Sequence, residues 1–87
     1  MAETAVTALP LYKCHKRVWA LQIARVDRNS GVLYFLEDRY PPRVVGEEYV
    51  ARHDPQPTGY WVRYVDGYES YSPKQAFEDG YTPVTNA

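Results

Sequence analysis

The chain has 87 residues, enough for one domain, and a domain of this size buries only about two-thirds of the surface that its unfolded chain exposes. Its net charge of −1 is not typical of nucleic-acid-binding proteins, and its one cysteine excludes an intramolecular disulfide. Because no apolar run is long enough to span a membrane and no signal-peptide pattern is present, we expect a cytoplasmic protein.

Aromatic residues are abundant and charges are unevenly distributed. The sequence holds nine tyrosines and two tryptophans, whose rings suit a small sheet core or a contact surface. Residues 1–26 carry a net charge of about +3 and residues 65–87 about −3. We expect two solvated faces that attract each other in the fold. The alternative is a bipolar surface that favours head-to-tail assembly or an anionic ligand near the N-terminal half.

The first ten residues are small and polar and show no periodicity. We predict that residues 1–10 form a flexible N-terminal arm. Residues 11–87, which contain no internal repeat or low-complexity segment, are predicted to fold as a single small α+β domain.

Residues 17–26 fit two kinds of secondary structure. Trp19, Leu21 and Ile23 alternate as in a strand, whereas Trp19, Ile23 and Val26 also share a helical stripe. A turn cluster at 27–31 and an apolar run at 32–36 follow, and they favour a hairpin of 17–26 with 32–37.

The middle of the chain predicts a connection with little regular structure. Residues 37–42 end in two prolines and indicate a surface crossing. Residues 43–45 are compatible with a short strand, and 46–53 with a turn of helix whose apolar contacts are Tyr49 and Val50. The prolines of 54–59 end that helix.

The C-terminal third predicts a second hairpin. Residues 60–65 are β-branched and aromatic, and Asp66-Gly67 is the dipeptide typical of a two-residue type I′ turn before a strand at 68–71. Ser72 is predicted to cap a helix that begins at Pro73 and ends at a left-handed Gly80, with 81–84 as a short closing edge strand. The predicted fold is therefore α+β: a small antiparallel sheet of two hairpins plus a short closing strand, with one or two short helices.

A two-residue turn also predicts which side chains share a face. It pairs Val65 with Tyr68 and Tyr64 with Glu69. One face then holds Tyr60, Val62, Tyr64 and Tyr71, and the other holds Trp61, Arg63, Val65, Tyr68 and Ser70. Since Arg63 and Ser70 mark the second face as solvated, the first is the predicted core, although Glu69 on that face conflicts with the assignment.

The predicted solvated face combines aromatic rings with a guanidinium group. Such a face can stack a base, bind a phosphate or contact another protein. Basic residues also precede the first predicted strand. The predicted ligand- or partner-binding residues are His15, Lys16, Arg17, Trp61, Arg63, Tyr68 and Ser70.

Signatures of catalysis and metal binding are absent from the sequence. Cys14, His15 and His53 lack the spacing of a metal site, and Cys14 and His15 would point to opposite faces of a strand. Glycine-rich phosphate loops are also missing, and the adjacent carboxylates have the pattern of solvated charges. We therefore predict no enzymatic activity, no cofactor and no metal.

Three stretches together carry a resemblance to a known group of proteins. They are Tyr12-x-x-His15-Lys16-x-Val18-x-Ala20-Leu21-x-Ile23, then Tyr49-Val50-x-Arg52-His53-x-Pro55-Gln56, and Gly59-Tyr60-Trp61-Val62 through Asp66-Gly67-Tyr68-x-Ser70-x-Ser72-Pro73 to Ala76-Phe77-Glu78-x-Gly80-Tyr81. The chain resembles small uncharacterised proteins encoded by tailed phages and prophages, which implies such an origin. Its closing pattern is also similar, in architecture only, to the end of small phage proteins that sequester cyclic-nucleotide immune signals.

These observations lead to two main functional hypotheses. The first is a non-enzymatic phage or prophage protein that blocks a host protein in the bacterial cytoplasm, as a host-takeover or counter-defence factor. The second is an oligomeric sponge for a cyclic-nucleotide signal, with a pocket formed by Trp61, Arg63, Tyr68 and the basic residues 13–17. A hydrolase acting on such a signal is a third class.

Overall fold

The computed structural model describes residues 10–12 and 16–84, so almost all of the predicted arm, and His15, lie outside the described residues. Strand β1 (Trp19–Asp27) pairs antiparallel with β2 (Val32–Phe35). The carboxylate of Asp27 accepts hydrogen bonds from the backbone N–H groups of Asn29 and Ser30, which stabilises the turn. The predicted first hairpin is confirmed, and residues 19–27 form a strand rather than a helix.

The remaining elements complete a five-stranded antiparallel sheet with two short helices. They are β3 (Arg43–Val44), α1 (Glu47–His53), β4 (Tyr60–Arg63), β5 (Glu69–Ser72) and α2 (Lys74–Gly80). The strand order is β3-β2-β1-β4-β5. The predicted α+β class is therefore confirmed, as are the short strand at 43–44 and the helix around Tyr49.

The core lies between one face of the sheet and α1. It consists of Ile23, Leu33, Phe35, Tyr49 and Trp61, with Leu21, Val26, Val45 and Tyr71 packed around it. The rings of Phe35 and Trp61 lie 5.9 Å apart between centroids. Tyr49 fixes α1 on this face, because its ring is buried and its hydroxyl donates a hydrogen bond to the backbone carbonyl of Ser70.

The turn between β4 and β5 has three residues rather than two. The N–H of Tyr64 donates to the carbonyl of Tyr68 at 2.8 Å, and the N–H of Gly67 donates to the carbonyl of Tyr64 at 2.9 Å. Gly67 has a φ of 94°, whereas Asp66 is not among the described residues with positive φ. The predicted type I′ turn is therefore wrong. The loop Val65-Asp66-Gly67 instead follows the pattern in which a left-handed glycine closes a three-residue connection.

The extra loop residue shifts the register of β5 by one position. Val62 pairs with Ser70 and Trp61 pairs with Tyr71, and a shift of one residue moves every β5 side chain to the other face. Trp61 is only 8% exposed, so the face that we predicted to be solvated carries the core. The predicted face assignment is therefore wrong for Trp61 and for the β5 side chains, whereas Val62, on the face predicted to be the core, is buried at 3% exposure. The conflict over Glu69 disappears, because Glu69 shares the face of Trp61.

The end of the chain also differs from the prediction. The N-cap residue of α2 is Pro73, and no side chain caps the helix, so the hydroxyl of Ser72 lies one position too early to act as a cap. Gly80 lies inside the helix without a positive φ, and the extended Tyr81 ends it. Residues 81–84 have no strand assignment, and the fifth strand is supplied by β3.

Candidate functional site

Trp19 and Arg63 form the outermost pair between β1 and β4. The next pair inward on the same face is Leu21 with Trp61, and those two side chains belong to the core or pack against it. Trp19, one step further out, is 60% exposed, and Arg63 is also exposed. A large indole ring therefore stands in solvent beside a guanidinium group, and the sheet backbone holds both in place.

The opposite face of the same end carries a second group of rings and cations. The Nζ of Lys16 lies 5.3 Å from the ring centroid of Tyr64. The ring of Tyr64 stacks on that of Tyr68, with centroids 5.9 Å apart and planes inclined by 17°. Arg17 is exposed and lies between Lys16 and the start of β1. We define the basic–aromatic end by these residues: Lys16, Arg17, Trp19, Arg63, Tyr64 and Tyr68.

The carboxylate directly across the strands from Arg63 is hydrogen-bonded to other residues. Glu69 is the residue directly opposite Arg63, but its carboxylate accepts two hydrogen bonds from Arg43, one of them at 2.9 Å, and one from the indole N–H of Trp61 at 2.8 Å. The bonds from Arg43 are the main reason that the pKa of Glu69 lies below its usual value. Within the described residues, the side chain of Arg63 makes no hydrogen bond and interacts with Glu69 only through charge.

The sequence-predicted site residues divide into three groups. Lys16, Arg17, Arg63 and Tyr68 meet at the basic–aromatic end, as described above. Trp61 does not belong there, because it pairs with Leu21 one step further inward and is part of the core. Ser70 is half-buried on the opposite face from Trp61. His15 lies outside the described residues and stays a prediction.

Trp19 was missed as a site residue. Its alternation with Leu21 and Ile23 assigned it to a strand, and large rings in strands are usually part of the core. The sequence did contain a signal for an exposed role, since Trp19 lies two residues after the basic pair Lys16 and Arg17. Whether the end of a strand is exposed depends on which other elements pack over it, and the local sequence does not show that.

A groove of about 200 Å³ lies between α1 and β5. It is lined by Val45, Glu48, Tyr49, Arg52, His53 and Glu69. Burial raises the pKa of the Tyr49 hydroxyl and lowers that of His53, whose ring lies 4.6 Å from the ring of Tyr49. The lining combines two carboxylates with Arg52 and His53 and so has no strong preference for either charge. Among the described residues no group of three or more His, Cys, Asp or Glu side chains could hold a metal ion.

Comparisons with protein-family models, curated proteins and solved structures give no match for this chain. None of the helices in the ranges 10–12 and 16–84 is long and apolar enough to cross a membrane. Function therefore has to be argued from the surface chemistry described above.

Proposed function

We propose that this is a non-enzymatic binding protein of phage or prophage origin that acts in the bacterial cytoplasm by occupying the surface of a host protein. The observation that supports the proposal best is the exposed Trp19 directly opposite the exposed Arg63. Tryptophan, tyrosine and arginine are the residues that most often dominate the binding energy of protein interfaces. The phage origin rests on the motif resemblance, and a host-takeover or counter-defence role follows from that origin.

The basic–aromatic end has features that favour tight contact with a protein. Its anchor residues Trp19 and Arg63 lie on paired strands, so little backbone entropy is lost when they bind. An indole supplies a large apolar area with few rotatable bonds, and the neighbouring cations steer an oppositely charged partner. We therefore place the host-protein contact at this end of the sheet.

Affinity capture with matched variants tests the proposal. Tagged wild-type protein and the double variant Trp19→Ala/Arg63→Glu are each expressed in infected bacteria, and the co-purifying proteins are quantified. The control is Val44→Ala/Arg39→Glu, which changes another exposed apolar residue and another surface arginine. Val44 pairs with Val32, which pairs with Asp27. Val44 is therefore aligned with the far end of β1, whereas Trp19 and Arg63 lie at the other end of that strand.

We expect one host protein to be captured by both the wild type and the control, and to decrease at least about tenfold with the Trp19/Arg63 variant, which corresponds to about 1.4 kcal/mol. Equal capture by both variants would exclude this end as the contact surface. Recovery of no host protein by the wild type would contradict the proposed function itself.

A cyclic-nucleotide sponge is the second candidate. The observation that favours it is the stacked pair Tyr64 and Tyr68 with Lys16 over one ring, since aromatic rings stack on nucleobases and a lysine pairs with phosphate. A ligand that binds only the folded protein raises its melting temperature. Cyclic di- and trinucleotides at saturating concentration should therefore raise the melting temperature of the wild type, and less so that of Tyr68→Ala. No change with any of them would exclude the sponge.

A further inference from the structure

Arg63 is not hydrogen-bonded to the acidic residue directly across from it, because that residue, Glu69, is bonded to Arg43. In an antiparallel sheet, oppositely charged residues directly across from each other normally pair. Glu69 is directly across from Arg63, yet both of its carboxylate oxygens are bonded to Arg43, and one of them also accepts from Trp61. Both carboxylate oxygens of Glu69 are therefore hydrogen-bonded without a bond from Arg63.

The position of Arg63 makes it accessible to a group from outside the protein. Trp19, Arg63 and Glu69 form one row across three strands, with the exposed Trp19 on one side of Arg63 and the engaged Glu69 on the other. A guanidinium group presents five N–H donors in a planar fork that matches a carboxylate or a phosphate in a bidentate geometry. Within the described chain none of these donors is bonded.

We infer that Arg63 is a carboxylate-recognition residue: it binds an aspartate or glutamate side chain of the partner protein while Trp19 contacts an apolar residue beside it. This inference rests on the proposed function and adds the chemistry of the partner, namely an acidic segment that also carries apolar side chains. Lys16 and Arg17 strengthen the preference for negative charge at the same end. The acidic α2, with Glu78 and Asp79, lies beyond the far end of β5 and does not offset it.

A carboxylate-bearing protein fits these residues better than a polyphosphate. Phosphate chains are bound by many cations that neutralise successive charges. The basic–aromatic end offers three cations next to the acidic turn residue Asp66, on a protein whose net charge is −1. One bidentate arginine beside one indole instead suits a single carboxylate next to an apolar side chain.

Synthetic peptides test the inference directly. The probe is a fluorescein-labelled 12-residue peptide of alternating glutamate and leucine, which is about 40 Å long when extended at about 3.3 Å per residue and so more than crosses this end of the sheet. A glutamine–leucine peptide of the same length is nearly isosteric but uncharged, and an oligothymidylate of 12 nucleotides supplies phosphate instead of carboxylate. Binding is measured by fluorescence anisotropy at low and at physiological salt.

We expect the glutamate peptide to bind at least tenfold more tightly than the glutamine peptide. Arg63→Lys keeps the charge but loses the fork, so it should weaken binding several-fold, and Arg63→Gln should weaken it more. Arg39→Gln is the matched control and should have no effect, because Arg39 lies in a surface ion pair with Glu37. Melting temperatures of all variants confirm that they are folded.

Equal binding of the two peptides, or an Arg63→Lys variant that binds like the wild type, would overturn the inference. Preference for the oligothymidylate would assign the end to nucleic acid instead and would also overturn it. Failure of the inference is distinguishable from failure of the proposed function. If Trp19→Ala loses the captured host protein while Arg63→Gln retains it, the docking end is correct and the carboxylate assignment is not.

Discussion

Arg43 and Glu69 lie on the two outermost strands of the sheet, yet their side chains are hydrogen-bonded to each other, with the Nε–H of Arg43 2.9 Å from Glu69 Oε1. In a flat sheet, strands β3 and β5 would be about 19 Å apart, at about 4.8 Å per strand. Two side chains cannot span that distance, so the sheet must curl around the core. The pair closes the open side of the curl above Trp61, whose ring centroid is 5.3 Å from the Arg43 guanidinium carbon.

Glu69→Gln should lower the free energy of unfolding and make that free energy depend less on pH in the acidic range. The folded protein lowers the pKa of Glu69, chiefly through the bonds from Arg43, so this carboxylate contributes stability above its unfolded pKa of about 4.3. The contribution is lost as the pH falls through the lower folded pKa. At pH 7 we expect a loss of about 2 kcal/mol, as for a partly buried hydrogen-bonded charge, measured by urea denaturation between pH 2.5 and 7.

Part of the acid response should remain in that variant, because the pKa values of Asp27 and Glu78 are lowered as well. Glu37→Gln, in the exposed ion pair with Arg39, is the control and should change the unfolding free energy little. A Glu69→Gln variant as stable as wild type at every pH would show that the Arg43–Glu69 pair does not hold the sheet closed.

Gly67→Val should destabilise the second hairpin through backbone strain alone. Gly67 has a φ of 94°, and a Cβ built there would meet no atom within 4 Å, so crowding plays no part. A β-branched residue in this left-handed region costs about 1–2 kcal/mol. Gly67→Asn should cost clearly less, because asparagine tolerates the region. Equal melting temperatures for the two variants would be incompatible with a left-handed residue at this position.

Gly59→Ala should destabilise the protein through steric crowding, whereas Gly80→Ala should not destabilise it. Gly59 has no positive φ, but a Cβ there would lie 2.3 Å from the hydroxyl oxygen of Tyr71, so the core ring must move. Gly80 lies in α2 with nothing within 4 Å, and alanine in a helix is favoured over glycine by about 0.5–1 kcal/mol. Thermal unfolding should show a large decrease for the first and no decrease for the second. A Gly80→Ala variant with a lower melting temperature than the wild type would indicate that Gly80 has a left-handed conformation at the end of α2.

Ser72→Ala should leave stability nearly unchanged. A serine that caps a helix typically contributes about 1 kcal/mol. In this structure the N-cap residue is Pro73 and no side chain caps α2. A loss of about 1 kcal/mol on denaturation would show that the serine hydroxyl does cap the helix in solution.

Local sequence was sufficient for the first hairpin and for α1, because strand alternation, a five-residue turn cluster and proline breaks all act over a few residues. The second hairpin shows the limit of such local signals. Asp66-Gly67 suits a two-residue turn and also a three-residue loop that ends in a left-handed glycine, so the dipeptide leaves the register open. In the register that forms, Tyr71 and Glu69 share the face of the buried Trp61. Every face assignment downstream of the turn depended on that register.

The candidate site was predicted in part for the same reason. Charge and aromatic content pointed to Arg63, Tyr68, Lys16 and Arg17, which do meet at one end of the sheet. Trp61 was predicted as a site residue but lies in the core, because the core includes the Leu21–Trp61 pair and does not extend to the exposed Trp19.

The different environments of the two tryptophans give the most direct test of this account. Trp61→Phe leaves Trp19, which is 60% exposed, and Trp19→Phe leaves Trp61, which is 8% exposed. We predict that Trp19 emits at long wavelength and is quenched readily by acrylamide, whereas Trp61 emits at shorter wavelength and is protected until the protein unfolds. Ready quenching of Trp61 together with protection of Trp19 would contradict the hairpin register, the core and the basic–aromatic end together.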